Sequence, residues 1–277
     1  MAPDHLASPI SRRFHATWLM FGGLFTGLMI ALGVVGSWFL FNGSPPVSTG
    51  TEQQAYQQLA TRVEIDIENG DVRVVGGASQ VSLERRLEYA ARRPTFTETW
   101  RGDTLVIRAQ CELSAFERAQ GERCGVGYVL RVPAAVTVEA NVGMGKIRID
   151  DVDGELRLSS DSCHVEIRNA RGRVRVQSKS GTITATGLGG TEAIAQTGVG
   201  DVSLDFVTTP LLVRAITDFG TIDVALPRGD IGAMAYLVRA ETTVGRRYVD
   251  VLSDPASLHQ VFATAGKGDL YVRYSSG

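Results

Sequence analysis

Beyond residue 60 the chain lacks any run with a helical period, and throughout it lacks the short motifs that mark most catalysts. There is no Gly-x-Ser-x-Gly elbow, no His-Glu-x-x-His, no phosphate loop and no Cys–His pair with an orienting group. Histidine is scarce: His5, His15, His164 and His259 are the whole set, so Cys111 and Cys124 have no histidine near them in sequence to complete a metal site. The formal net charge of −2 excludes the strongly basic balance of a nucleic-acid binder. These absences point away from an enzyme, and no cofactor or metal is expected.

Charge is also missing from Thr17 to Phe41, a run of 25 residues rich in Leu, Phe, Gly, Val and Met. As a helix it would reach about 37 Å, enough to cross a hydrocarbon core of about 30 Å with some tilt. Trp18 and Trp38 lie near its ends, where amphipathic rings favour the membrane interface. Arg12 and Arg13 precede it and no charge follows until Glu52, so residues 1–16 are expected in the cytoplasm and the rest outside. A cleaved signal peptide would have a shorter apolar core that ends in an Ala-x-Ala-like site; this core is longer, and no good small-x-small pair precedes Pro45. Residues 42–60, with Pro45-Pro46 and several Ser, Thr and Gln, are expected to be a linker.

What is abundant is one short phrase, repeated. Gly145-Lys146-Ile147-Arg148-Ile149 recurs as Gly154-Glu155-Leu156-Arg157-Leu158, as Cys163-His164-Val165-Glu166-Ile167 and as Gly172-Arg173-Val174-Arg175-Val176. It continues at Gly181, is blurred at Gly190, and returns at Gly200 and Gly220. Units start nine residues apart from 145 to 190 and ten apart from 190 to 220. Each is apolar at its third and fifth positions and polar at its fourth, the period of a strand with one wet face. One unit cannot bury its own face, so neighbours must stack.

Two arrangements satisfy this. Pairs of units could form coils of about 18–20 residues, stacked as a β-solenoid or β-roll with parallel strands. Alternatively, successive units could pair as hairpins in an antiparallel meander or sandwich. A glycine at the same phase of every unit favours the solenoid, because it would mark a corner. Ile147, Val165, Ile183, Val202 and Ile222 would then make one inward column, and Leu156 and Val174 would begin the opposite one. Outside the repeat, Val63–Ile67, Val81–Tyr89, Thr95–Trp100, Thr104–Arg108, Tyr128–Val132, Met234–Ala240, Val249–Leu252 and Leu270–Tyr274 also read as strands. Asn69-Gly70-Asp71 reads as a hairpin turn before Val72-Arg73-Val74. Residues 61–277 are therefore expected to be one all-β extracytoplasmic domain.

Few residues stand out within it. Cys111 and Cys124 are expected to form a disulfide in an oxidising exterior, worth about 3 kcal/mol by loop closure. Cys163 occupies a glycine slot and reads as a small buried corner residue. Asp150, Asp151, Asp153 and Asp161 lack the Gly-Gly-x-Gly-x-Asp context of calcium-binding turns. Arg101-Gly102-Asp103 and Arg228-Gly229-Asp230 read as turns. Coils of about 18 residues would set Arg148 beside Glu166 on one outward face and Arg157 beside Arg175 on the other. These four are the candidate interaction face, although an ordinary solvated surface would show the same residues.

The apolar N-terminal run, the Gly-x-Val-x-Val units and the order of Tyr128-Val129-Leu130-Arg131-Val132-Pro133, Val136-Thr137-Val138 and Gly145-Lys146-Ile147 together resemble the bacterial "putative adhesin" family, a domain family of unknown function. The likeness spans about residues 61 to 277 and implies a membrane-anchored extracytoplasmic β-solenoid-like domain without catalytic residues. Cys163 and the blurred unit at Gly190 depart from the pattern. The expected function is a non-enzymatic cell-envelope interaction module with a cell-wall or surface polymer, or another membrane protein, as partner. An envelope-stress sensor acting through a membrane partner is the alternative. A polysaccharide-acting enzyme ranks third, since cleavage would need two carboxylates about 5 to 9 Å apart.

Overall fold

The structure is a computed structural model that describes residues 25–37, 48–90, 92–114, 124–228 and 234–275. Two units, Met1–Pro46 and Val47–Gly277, are each compact by themselves. In the first, residues 25–37 are helical. No helix among the described residues is long and apolar enough to cross a membrane. The flanks of the expected span, with Trp18 and Trp38, and the tail 1–16 lie outside the described residues.

The second unit is all-β. Its strands are β1 (Ser48–Tyr56), β2 (Arg62–Asn69), β3 (Val72–Val75), β4 (Val81–Tyr89), β5 (Thr95–Arg101), β6 (Thr104–Gln110), β7 (Cys124–Arg131), β8 (Thr137–Asp150) and β9 (Leu156–Arg168). There follow β10 (Val174–Ser180), β11 (Ile183–Leu188), β12 (Glu192–Val199), β13 (Val202–Phe206), β14 (Leu212–Phe219), β15 (Ile222–Leu226), β16 (Leu237–Val244), β17 (Arg247–Asp250), β18 (Gln260–Lys267) and β19 (Leu270–Tyr274).

Through the repeat, every pairing is parallel, and partners lie 18 to 20 residues apart: Val174 with Leu156, Ile183 with Val165, Val202 with Ile183, Ile222 with Val202. The antiparallel meander is not how these units pair. Two ladders result. The first runs β6, β2, β8, β9, β10, β12, β14, β18, β16. The second runs β7, β3, β8, β9, β11, β13, β15, β19, β17. The long strands β8 and β9 contribute one half to each ladder.

Between the ladders lies a continuous apolar core. Ile147, Val165, Ile183, Val202 and Ile222 are all buried and lie in one register line, with Leu270 next to them. Each such side chain contributes about 1.5–3 kcal/mol by leaving water. Glycine marks the bend between the ladders. Gly181 has φ +128°, and a Cβ there would lie 1.9 Å from the Cys163 carbonyl oxygen, so neither the backbone nor the space admits a side chain. Beside such bends, the hydroxyls of buried Thr197 and Thr217 and of half-buried Thr242 donate to the carbonyls of Gly181, Gly200 and Gly268 at 2.8–3.0 Å.

Several local expectations change. Asn69-Gly70 is a bend between the ladders, with Gly70 at φ +152°, and not a hairpin: β2 and β3 pair with β8 and not with each other. A two-residue hairpin and a bend from one ladder to the next use the same residue type, because both need glycine's freedom. Gly102, at φ +64°, does turn a true hairpin between β5 and β6. Part of the expected linker, Ser48–Tyr56, is strand β1, paired antiparallel with β4. Its sequence is polar on both faces because it is a wet edge, so no alternation marks it. The blurred unit after Gly190 is the regular strand β12. Strand β18 carries no glycine-led phrase and was not expected; it lies between β14 and β16, out of chain order. Of the second Arg-Gly-Asp, Gly229 and Asp230 lie outside the described residues.

Candidate functional site

The parallel registers turn outward-facing residues into rows that cross the strands. On the second ladder one row reads Arg73, Arg148, Glu166, Thr184, Ser203, Asp223, Tyr271 and Tyr248. Arg148 donates to Glu166 at 2.7 Å, and Lys146 and Arg168 also pair with that carboxylate. The Arg148 hydrogen bond is the main cause that holds Glu166 down to about 2. Arg73 pairs with Asp150 at 2.9 Å and Arg273 with Asp223 at 2.8 Å. This face is therefore charged but neutralised locally.

On the first ladder the corresponding row reads Glu64, Glu139, Arg157, Arg175, Ile194, Arg214, Phe262 and Arg239. It changes sign once, between Glu139 and Arg157. Arg157 lies beside Arg175, as the repeat spacing predicts, with Glu155 at 3.0 Å and Glu192 at 3.2 Å as their carboxylate partners. Arg214 and Arg239 are exposed, have no ion pair among the described residues, and flank the Phe262 ring at 5.8 and 5.9 Å. A second row, two residues further along each strand, reads Asp66, Asn141, Ser159, Gln177, Gln196, Ile216, Thr264 and Glu241. A shallow groove of about 340 Å³ crosses β6, β2, β8, β9 and β10, lined by Asn141, Arg157, Ser159, Arg175 and Gln177 among others.

Of the predicted site residues, the structure thus brings Arg148 to Glu166 and Arg157 to Arg175, on different ladders. Sequence reasoning missed Arg214, Phe262 and Arg239, which extend the Arg157 row. The chain intervals between them are irregular because β18 is inserted out of order.

Other candidates resolve as structural. Cys111 and Cys124 are joined, with Cα atoms 5.8 Å apart. Cys163 is free and buried in the register of Gly145; burial pushes its thiol up to about 11, which makes it a poor nucleophile. The four aspartates that evoke calcium are each engaged elsewhere: Asp150 by Arg73, Asp151 by Asn169, Asp153 by Arg171 and Asp161 by Lys179. Among the described residues no group of three or more His, Cys, Asp or Glu is placed to hold a metal ion.

No family model matches the chain, and no curated protein matches it. Solved structures that are similar include a "putative adhesin" from Bacteroides fragilis, at 10% identity over 82% of this chain and 98% of that one, with a TM-score of 0.45. A "putative cell adhesion protein" from Clostridium sporogenes matches at 10% identity over 82% of this chain and all of that one, with a TM-score of 0.35. A "putative lipid binding protein" from Parabacteroides distasonis matches at 8% identity over 82% and 97%, with a TM-score of 0.27.

Proposed function

We propose that this chain is a non-enzymatic, adhesin-like interaction module of the cell envelope, a β-solenoid held at the membrane by the apolar segment 17–41 with its all-β unit outside. The observation that carries the reading is the set of register-locked outward rows: a partner with a repeating structure meets the same backbone spacing of about 4.8 Å at every layer. The Cys111–Cys124 bond supports an oxidising compartment, since such bonds are rare where thiols are kept reduced. Glu166 and Asp223, the carboxylates of the second ladder's outward row, are taken up by neighbouring arginines, which supports binding over acid–base catalysis there. The test is a pull-down from crosslinked envelope fractions with the membrane-anchored full chain as bait. Recovery of wall or surface polymer is expected; recovery of a single membrane protein would move the reading to a sensor or complex subunit, and glycan turnover by the purified chain would overturn it.

A further inference from the structure

The outward row of the first ladder differs from its counterpart in one respect: its charge is not cancelled along its whole length. From Arg157 the sequence of side chains across consecutive strands is Arg157, Arg175, Ile194, Arg214, Phe262, Arg239. All four arginines are exposed, and Ile194 and Phe262 are partly buried between them. Adjacent strands are about 4.8 Å apart, so Arg214 and Arg239 stand two spacings apart, about 10 Å, with the Phe262 ring between them.

We propose that this row binds a linear anionic polysaccharide carrying a carboxylate on its sugars, laid along the stacking axis across the strands. This inference rests on the interaction-module reading and names the ligand class and the residues. Three features fit that chemistry. A guanidinium presents a planar fork that matches a carboxylate, and among the described residues Arg214 and Arg239 have no ion pair to give up first. A hexose unit advances by a length close to one strand spacing, so its charges can stay in phase with arginines set one and two spacings apart. The partly buried Phe262 and Ile194 offer their accessible apolar surface to the C–H faces of sugar rings, and the amide and hydroxyl side chains of Asn141, Ser159, Gln177 and Gln196 offer hydrogen bonds to sugar hydroxyls. Nucleic acid is the weaker fit: one aromatic ring in the row provides little stacking, and the chain is net acidic. Glu64 and Glu139 end the favourable stretch by repelling the same polymer.

The experiment is equilibrium binding of the full chain in detergent to oligogalacturonate, with neutral dextran, single-stranded DNA and anionic lipid vesicles as comparators. Oligogalacturonate should bind in preference to all three, and binding should weaken with added salt. Arg214→Gln combined with Arg239→Gln should weaken it by about tenfold or more. Phe262→Ala should weaken it by a smaller factor. Arg86→Gln combined with Arg131→Gln, two exposed arginines on β4 and β7, should leave it unchanged. Equal binding to dextran, tighter binding to DNA or vesicles, or an unaltered affinity in the Arg214/Arg239 variant would each overturn the proposal. All substituted residues except Phe262 are surface arginines, and unchanged circular dichroism verifies that a loss is not unfolding. If the envelope pull-down recovers a partner while oligogalacturonate does not bind, this inference fails and the interaction-module reading stands.

Discussion

One inward column of the second ladder begins at Tyr128 and finishes at Arg247, and the two residues show how differently the stack is closed at its ends. Near Tyr128 the edges are covered. Strand β4 pairs antiparallel with β7, β1 adds to β4, and β5 folds over β6. Under this cover lies Arg85, only 8% exposed, paired with Glu98 and Glu52 and placed over the Phe96 ring at 3.6 Å. The Tyr56 hydroxyl donates to Glu98, and its ring meets Trp100 edge-on at 5.3 Å. The Cys111–Cys124 bond ties the segment between β6 and β7.

At the other end no described strand pairs with the outer edges of β16 and β17. All four residues of β17 are exposed, and Arg247 stands in register with the buried Leu270, a charge in a core column. That is one of the devices by which proteins keep an open sheet edge from pairing with another chain. The lesson is that a stack of parallel layers must be ended at both sides, either by a polar, crosslinked cover or by a charge that refuses further stacking.

The comparison can be broken first where it is strongest. Glu98→Ala leaves the buried Arg85 guanidinium with only the half-exposed Glu52. A loss of about 3 kcal/mol or more is expected in urea unfolding; a loss below about 1 kcal/mol would mean that the cover does not depend on this pair. Replacing Cys111 and Cys124 together by serine should cost about 3 kcal/mol by loop closure, read as a lower melting temperature that reductant no longer changes. Arg247→Val should scarcely alter stability but should produce concentration-dependent association on size exclusion with light scattering. A variant that stays monomeric at every concentration would show that the open end is closed by something other than this charge.

The smallest effect sharpens the contrast by pH. At the covered end, burial first and Glu98 second push Tyr56 up to about 12 from an ordinary 10.0. A raised pKa means that its contribution is complete below pH 10 and is lost as pH rises through 12. At the open end, the Arg246 backbone N–H first, then its side chain and Tyr271, hold Asp269 down to about 2 from 3.8. That contribution is present above pH 3.8 and is lost as pH falls through 2. Protection against hydrogen exchange should therefore fall around β1, β4 and β5 in alkali, and in acid around β17 and β19 as well as around Glu166 on β9. Asp269→Asn should abolish the acid response around β17 and β19 while that around Glu166 remains, and a response at β17 and β19 that persists would assign it to another group.

How much of this was legible depends on whether neighbours in space were also at a fixed interval in the chain. Arg157 beside Arg175 and Arg148 beside Glu166 follow from an 18-residue offset between parallel partners. So does the buried column from Ile147 to Ile222. Arg214, Phe262 and Arg239 are also neighbours, but their intervals are 48 and 23 residues and their order in space is not their order in sequence. Strand β1 was hidden for a different reason: with both faces wet, it carries no apolar alternation.

By itself, the sequence determined the strand period, the glycine at each bend and the side chains that face inward, because these follow from local backbone sterics and from water's rejection of apolar groups. Only the tertiary structure decided which strands pair, that β18 slips between β14 and β16, and how each end is closed. Backbone hydrogen bonds are alike for every residue, so pairing is chosen by which whole arrangement buries the most apolar surface and leaves the fewest polar groups unpaired.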